Sequence, residues 1–224
     1  AINYRANNNV WRRVVVRGDG CNSASCTGSG NPNVGFSVYD SANNSIQNMI
    51  IVDRVLDGGY GYADFATAQH TPGNYLLGPN EWLGCISLNS PDAGFNFEGD
   101  DVNDNTHTLR NIVSWNSTLS NVNIGKYALN ILLENITAGN AGNDNVRVAP
   151  EVSSGTVRNI IAYKAGRYGV NSAVVPTYTD VYLAAAGAYN QNACVLGCKT
   201  SDPVAIGALK YIVRIEDKTP LTKT

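Results

Sequence analysis

The sequence has few charged residues and few of the residues that usually carry enzyme chemistry. Lys, Arg, Asp and Glu make up 15% of the 224 residues, against about 25% in an average soluble domain, and there are two His. The formal net charge of −2 indicates no basic surface of the kind that binds nucleic acid, so we expect no nucleic-acid partner. Apolar runs stay short of the roughly 18–20 residues of a membrane helix, so we expect no membrane span.

Asn and Gly are what the chain has in excess. It contains 29 Asn and 22 Gly, which tolerate left-handed backbone and serve tight turns. Hydrophobic residues still make up 43% of the chain, enough for a full core. The composition therefore predicts a folded chain that turns often.

Two local pairs of cysteines predict disulfides. In this interpretation Cys21 pairs with Cys26 and Cys194 with Cys198, because the members of each pair lie close together in Gly/Ser/Asn-rich surroundings. Free thiols are the alternative. A zinc site made of the same four residues would require the two ends of the chain to meet, which a rod-shaped fold forbids. Disulfides imply an oxidising compartment, so we expect a secreted or cell-surface protein. Cys85 has apolar neighbours and is predicted to be a buried thiol.

A repeat of about 24 residues organises the chain. Asn111, Asn135 and Asn159 each precede Ile and are spaced by 24 residues. A second series, half a period away, alternates apolar and polar residues, as in 121–124 and 145–148. Two short strands per repeat, joined by Asn/Gly turns, predict an all-β fold, a right-handed parallel β-helix (solenoid) of about 7–8 coils. We expect the three Asn to stack as an amide ladder.

The repeat also predicts the domain organisation. We expect the β-helix domain to cover residues 1–204, with an excursion loop at 58–82. Residues 205–224 break the repeat and are predicted to form a C-terminal strand or lid, or the start of a following segment. The chain begins with Ala1, which we interpret as the result of a removed signal peptide or as the start of a fragment.

The excursion is the first candidate site, because long departures from a regular scaffold are often functional. Flat aromatic faces bind sugar rings, pack loops onto a scaffold or bury a subunit contact, and the excursion is compatible with all three. The aromatic residues predicted to bind substrate are Tyr60, Tyr62, Tyr75 and Trp82.

An acidic turn at 98–104 is the second candidate site. Close carboxylates repel one another unless a cation or proton is shared, and calcium takes six to eight oxygen ligands. The turn therefore indicates a calcium site, a carboxylate pair for glycoside hydrolysis or a solvated turn. His107 and Arg110 lie just downstream and are candidates to contact substrate as proton carrier and anion clamp. The predicted metal ligands are Asp92, Asp100, Asp101 and Asp104.

Residues 85–97 read Cys-Ile-Ser-Leu-Asn-Ser-Pro-Asp-Ala-Gly-Phe-Asn-Phe and resemble coils of the β-helical pectate lyases and related right-handed β-helix proteins. At the level of the fold, the resemblance covers roughly residues 10–190, and Asp92 is the residue that matches the family's acidic motif. It implies calcium held by Asp, and a Lys or Arg that abstracts the C5 proton of a uronate.

Two classes of function fit these features. The first is an extracellular domain that binds polysaccharide or another cell-surface glycan and, as a polysaccharide lyase or glycoside hydrolase with calcium as cofactor, cleaves it. The second is a non-enzymatic structural or adhesive protein, a rod, spike or filament subunit that self-associates. Fold alone does not decide between them, because one scaffold hosts many functions.

Overall fold

The computed structural model describes residues 2–18, 35–54, 63–68, 77–98, 106–125, 128, 130–152 and 154–200. Within these ranges the regular structure is strand and no helix occurs, as expected for short alternating segments separated by Asn and Gly. In chain order the strands are β1 Ile2–Tyr4, β2 Val10–Arg12, β3 Val15–Arg17, β4 Phe36–Tyr39, β5 Asn44–Gln47, β6 Ile50–Val52, β7 Ala63–Ala68, β8 Asn80–Leu83, β9 Ile86–Leu88, β10 Ala93–Phe97, β11 Thr106–Trp115, β12 Val122–Ile124, β13 Asn130–Ala141, β14 Val146–Val148, β15 Ser154–Ala165, β16 Tyr168–Ser172, β17 Pro176–Ala184 and β18 Gly187–Gln191.

The strands form two sheets, and the chain passes repeatedly from one sheet to the other. The first sheet has the order β1, β4, β7, β10, β12, β14, β16, β18. The second has the order β2, β5, β8, β11, β13, β15, β17, and β3, β6 and β9 join it through β11. The pairings between these strands are parallel. The prediction of an all-β chain is confirmed, and its sheets are parallel.

Neighbouring strands in the regular part of the chain pair with a constant shift in sequence. In the second sheet, Ile112 pairs with Ile136 and Ile136 with Ile160. The same shift relates β12 to β14 and β14 to β16 in the first sheet. The shift is 24 residues, and the hydrogen-bonded Asn side chains of β11, β13 and β15 are separated by the same number. The predicted repeat is therefore the pairing register of the sheets.

Asn111, Asn135 and Asn159 form the predicted amide ladder. Asn135 Nδ2 donates to Asn111 Oδ1 at 2.9 Å, and Asn159 Nδ2 donates to Asn135 Oδ1 at 3.1 Å. All three have left-handed backbone, with φ of 57°, 57° and 55°. Asn tolerates this conformation better than other residues with a side chain, and its amide both donates and accepts. One residue type thus makes the bend and links the repeats.

Like side chains also stack inside the molecule. The rings of Phe65 and Phe95 lie 4.6 Å apart at an interplanar angle of 7°, and both are fully buried. Leu109, Leu133 and Val157 form a row on the inner side of the second sheet. Full burial of each such side chain stabilises the fold by about 1.5–3 kcal/mol, so the stacked rows are the main apolar contribution.

A buried ion pair lies where β7 approaches the second sheet. Arg54 Nε donates to Asp64 Oδ1 at 2.8 Å, and Ser87 Oγ donates to Asp64 Oδ2 at 2.7 Å. The side chains of Arg54 and Asp64 are 3% and 0% exposed. Burial raises the pKa of Asp64, while the charge and hydrogen bond of Arg54 oppose the rise. Both charges are therefore compensated inside the protein.

The predicted excursion at 58–82 contains regular strand. Residues 63–68 form β7, which pairs with β4 and β10, and Phe65 belongs to the core. Ala63, Phe65 and Thr67 occupy alternate positions, as the residues on one face of a strand do. The Gly and Tyr residues that precede them make this short pattern hard to recognise in the sequence. The first sheet therefore continues through this part of the chain.

One predicted disulfide is confirmed. Cys194 and Cys198 are bonded, and Cys85 is a free thiol with no exposed surface, as expected. Burial raises the pKa of the Cys85 thiol to about 11. Cys21, Cys26 and the predicted C-terminal segment 205–224 lie outside the described residues.

Two substitutions at Asn135 separate the ladder from the bend. Asn135→Gly removes two ladder hydrogen bonds but keeps the left-handed backbone, and we expect a loss of about 1 kcal/mol in the free energy of unfolding. Asn135→Ala adds the cost of left-handed backbone, for a total of about 2 kcal/mol. Urea titration measures both. Asn130→Ala is the control, an exposed Asn on the same strand, and equal stability of all four proteins would contradict the ladder's role.

Candidate functional site

An open groove of about 370 Å³ crosses the outer side of the first sheet over β10, β12 and β14. Strand alternation explains its lining. On each of the three strands the residue that lines the groove lies between two buried residues, as Asn123 does between Val122 and Ile124, so it faces outward. The polar residues of the groove are Asp92, Asn96, Glu98, Ser120, Asn123, Asn143, Arg147 and Arg167.

A hydrogen-bonded polar row forms the floor of the groove. Asn96, Asn123 and Arg147 occupy the same register position on β10, β12 and β14. Asn123 Nδ2 donates to Asn96 Oδ1 at 2.5 Å, and Arg147 Nη1 donates to Asn123 Oδ1 at 2.7 Å. The guanidinium has five N–H donors, so this bond leaves others for a ligand. The floor presents both amide and guanidinium groups to the groove.

Arg167 lines one side of the groove and is held there by the buried Asp144. Arg167 donates to Asp144 from Nε at 2.8 Å and from Nη2 at 2.5 Å, and Asn171 Nδ2 donates to the same carboxylate at 2.9 Å. Burial alone would raise the pKa of Asp144, but these hydrogen bonds outweigh it and hold the pKa below its ordinary value. The pair orients the Arg167 guanidinium at the groove.

Two carboxylates lie at opposite ends of β10. Asp92 precedes the strand and Glu98 follows it. Burial raises the pKa of Asp92, while the Ala93 amide and the charge of Arg54 lower it. The five residues of β10 lie between them, and six steps of about 3.3 Å along an extended chain separate their Cα atoms by about 20 Å. A hydrolytic pair needs carboxyl groups roughly 5–10 Å apart, so these two do not form one.

Trp82 and His107, predicted to bind substrate, lie in the core. Both are 0% exposed, and the Trp82 ring packs 4.1 Å from the Phe97 ring and 5.8 Å from the His107 ring, measured between centroids. Trp82 is an inward residue of β8, where it pairs with Ile46 and Leu109. Their placement corrects the sequence interpretation, because a glycan on the outer surface would not reach either ring.

Arg110 is exposed but lies on the second sheet, away from the groove. Its Nε is 3.0 Å from Glu134 Oε2, and Arg158 Nη2 is 2.5 Å from the other oxygen of the same carboxylate. Glu134 thus takes the place of the anion that Arg110 was predicted to clamp. Of the predicted site residues that the structure describes, Asp92 is the one that lines the groove.

The calcium prediction rests on residues that are largely outside the described ranges. Asp100, Asp101 and Asp104 lie there, as do the aromatic candidates Tyr60, Tyr62 and Tyr75. Among the described residues, no group of three or more His, Cys, Asp or Glu is placed to hold a metal ion. Asp92 alone does not supply the six to eight oxygens that calcium requires.

Comparison with protein-family models, with curated proteins and with solved structures finds no match to the chain. In the part of the chain that the structure describes, no helix is long and apolar enough to cross a membrane.

Opposite pKa shifts predict opposite pH responses for Asp144 and Asp92. The lowered pKa of folded Asp144 gives stability that is present above the unfolded value of about 3.9 and is lost as the pH falls below it. Asp144→Asn should therefore flatten the loss of stability on acidification. Asp92 has a raised pKa, so its ionisation above about pH 4 costs stability, and Asp92→Asn should remove that cost.

The measurement is urea unfolding at a series of pH values from about 3 to 6. Parallel stability profiles for the wild type and both variants would contradict the assignment of these shifts.

Proposed function

We propose that the chain is an extracellular, pectate-lyase-like parallel β-helix domain that binds acidic polysaccharide in the groove of the first sheet. The observation that carries the proposal is the row Asn96–Asn123–Arg147, with Arg167 beside it. Amides donate to and accept from sugar hydroxyls, and guanidinium groups bind carboxylates in a bidentate manner.

The repeat supports the β-helix. Successive strands of the first sheet come from successive repeats, and the intervening strands pair in the second sheet with the same 24-residue shift. Two neighbouring parallel strands need a crossover connection that returns the chain to the end of the sheet where the first strand began. Here a strand of the other sheet forms part of each such connection. The eight strands of the first sheet agree with about 7–8 coils.

The Cys194–Cys198 disulfide supports an extracellular location, because disulfides persist in oxidising compartments. Cell-surface glycans are the polymers available there. The groove is open and elongated across three strands, which suits a chain better than a small molecule.

Cleavage is a separate property from binding. The lyase resemblance implies calcium and a basic residue acting at the uronate C5, and both Asp92 and Arg147 line the groove. Because the other three predicted calcium ligands lie outside the described residues, calcium and β-elimination stay predictions that the binding proposal does not need.

Affinity electrophoresis in gels containing polygalacturonate or alginate tests the binding proposal. Arg147→Ala should weaken retention about tenfold, since a charge-assisted contact contributes about 1.5–3 kcal/mol. Arg158→Ala is the matched control, because it removes the same charge from the second sheet. Equal effects of the two variants, or no retention of the wild type by either polymer, would refute the proposal.

The same polymers test cleavage. Incubation with and without calcium is followed by the ultraviolet absorbance of unsaturated products. Product that requires calcium and is lost in Asp92→Asn would support the lyase. Binding without product in either condition would leave a binding domain and remove the lyase prediction.

A further inference from the structure

Opposite charges face each other across the groove of the first sheet. Its lining includes two carboxylates, Asp92 and Glu98, and two guanidinium groups, Arg147 and Arg167. The two carboxylates flank β10, whereas Arg147 lies on β14 and Arg167 directly precedes β16. Because β12 lies between β10 and β14, the acidic strand and the first basic strand are two strand spacings apart, about 10 Å. The groove is therefore bipolar, with an acidic side and a basic side.

The Glu98 side chain enters the groove from the acidic side. Glu98 is exposed and lies two residues after Asn96, so the alternation of the strand places it on the same outer face. A Cβ added at Gly125, just after β12, would lie 3.2 Å from Glu98 Cγ. The carboxylate therefore projects from the sheet beside a space that Gly125 leaves open, on the side of β10 that faces the middle of the groove.

Arg147 reaches the middle of the groove from the basic side. Its Nη1 donates to Asn123 Oδ1 at 2.7 Å, and Asn123 lies on β12. The end of the Arg147 side chain is therefore above the strand that separates β14 from β10. In the described part of the chain, neither Arg147 nor Glu98 forms an ion pair, whereas Arg167 is paired with Asp144. A ligand is thus able to compensate both of these charges.

The charge balance of the groove disfavours a purely anionic ligand. Asp144 holds Arg167 and adds a third carboxylate to Asp92 and Glu98, so three acidic groups stand against two basic ones. A polyanion gains a contact at Arg147 but is repelled on the acidic side, and a polycation meets the reverse conflict. A ligand that carries both signs of charge gains on both sides.

We propose that the groove is selective for zwitterionic polysaccharide, a chain that carries amino groups as well as carboxylates. An ammonium group of the chain binds at Glu98 and a carboxylate binds at Arg147, while the amide of Asn123 bonds to hydroxyls between them. In a chain whose sugars alternate amine and carboxylate, opposite charges recur along its whole length, so many registers fit. The inference rests on the proposed function, because it names the class of polysaccharide that the same groove binds.

Two polymers that differ in a single group test this selectivity. The first alternates glucuronate and N-acetylglucosamine. The second is the same polymer after N-deacetylation, which converts each acetamide into an amine. Calorimetry at about pH 5.5, where the sugar amines are protonated and Glu is ionised, measures both affinities. The wild type should bind the zwitterionic polymer at least about tenfold more tightly, because it gains a charge-assisted contact at Glu98.

Substitutions on the two sides of the groove separate the two contacts. Glu98→Gln should reduce the preference for the zwitterionic polymer to within about twofold, because the neutral amide no longer attracts an ammonium group. Arg147→Ala should weaken binding of both polymers about tenfold, because both contain the carboxylate. Glu151→Gln is the matched control, an exposed Glu that does not line the groove, and it should keep the wild-type preference. Urea unfolding confirms that each variant folds.

The outcomes distinguish this inference from the proposed function. Equal affinity of the wild type for the two polymers, or an unchanged preference in Glu98→Gln, would overturn the selectivity and leave the binding of acidic polysaccharide standing. An equal loss of preference in Glu151→Gln would also overturn it, because the effect would then belong to net charge. No binding of either polymer, of polygalacturonate or of alginate would refute the proposed function itself.

Discussion

In-register parallel pairing is the constraint on which the rest of this structure depends. A constant shift of 24 residues places each side chain next to its counterpart from the preceding repeat, so Asn lies on Asn and Ile on Ile. Apolar rows then bury their faces against one another, and amide rows satisfy one another's donors and acceptors. Asn also pairs with Asn in the interior, where the buried Asn121 donates to Asn145 across the same shift of 24 residues and Asn44 donates to Asn80 across a longer shift of 36. An unmatched polar side chain at such a position would leave its neighbours on two repeats unsatisfied.

The same register gives the two outer faces different chemistry. On the first sheet, the outward position is filled by Asn96, Asn123 and Arg147, and the result is a polar groove with charged sides. On the second sheet, one outward position holds Trp115, Tyr163 and Tyr182, whose rings stack on one another, with Trp115 packed against Gly139. Because inward residues alternate with these positions, the outer faces can vary without disturbing the core. One scaffold can therefore carry two faces of different chemistry.

Much of the fold could be predicted from the sequence, and the candidate sites much less. Asn111, Asn135 and Asn159 were identifiable because Asn is suited to left-handed turns and because the spacing is regular. β7 was missed, since its alternation is short and surrounded by Gly and Tyr. Trp82 was assigned to a surface loop, yet it is an inward residue of β8. Asn123 and Arg147 were visible in the alternating segments, but their alignment into one row depends on the register between strands.

The sequence by itself determined the strand class, the repeat length, the turn residues and the local Cys194–Cys198 disulfide. These follow from interactions within a few residues or from a period that can be read along the chain. Only the tertiary structure decided which aromatic residues are buried, which polar residues share a groove, and that the Trp115 ring packs against Gly139. Each of these depends on side chains about 24 residues apart becoming neighbours across about 4.8 Å of hydrogen-bonded sheet, which no local pattern specifies.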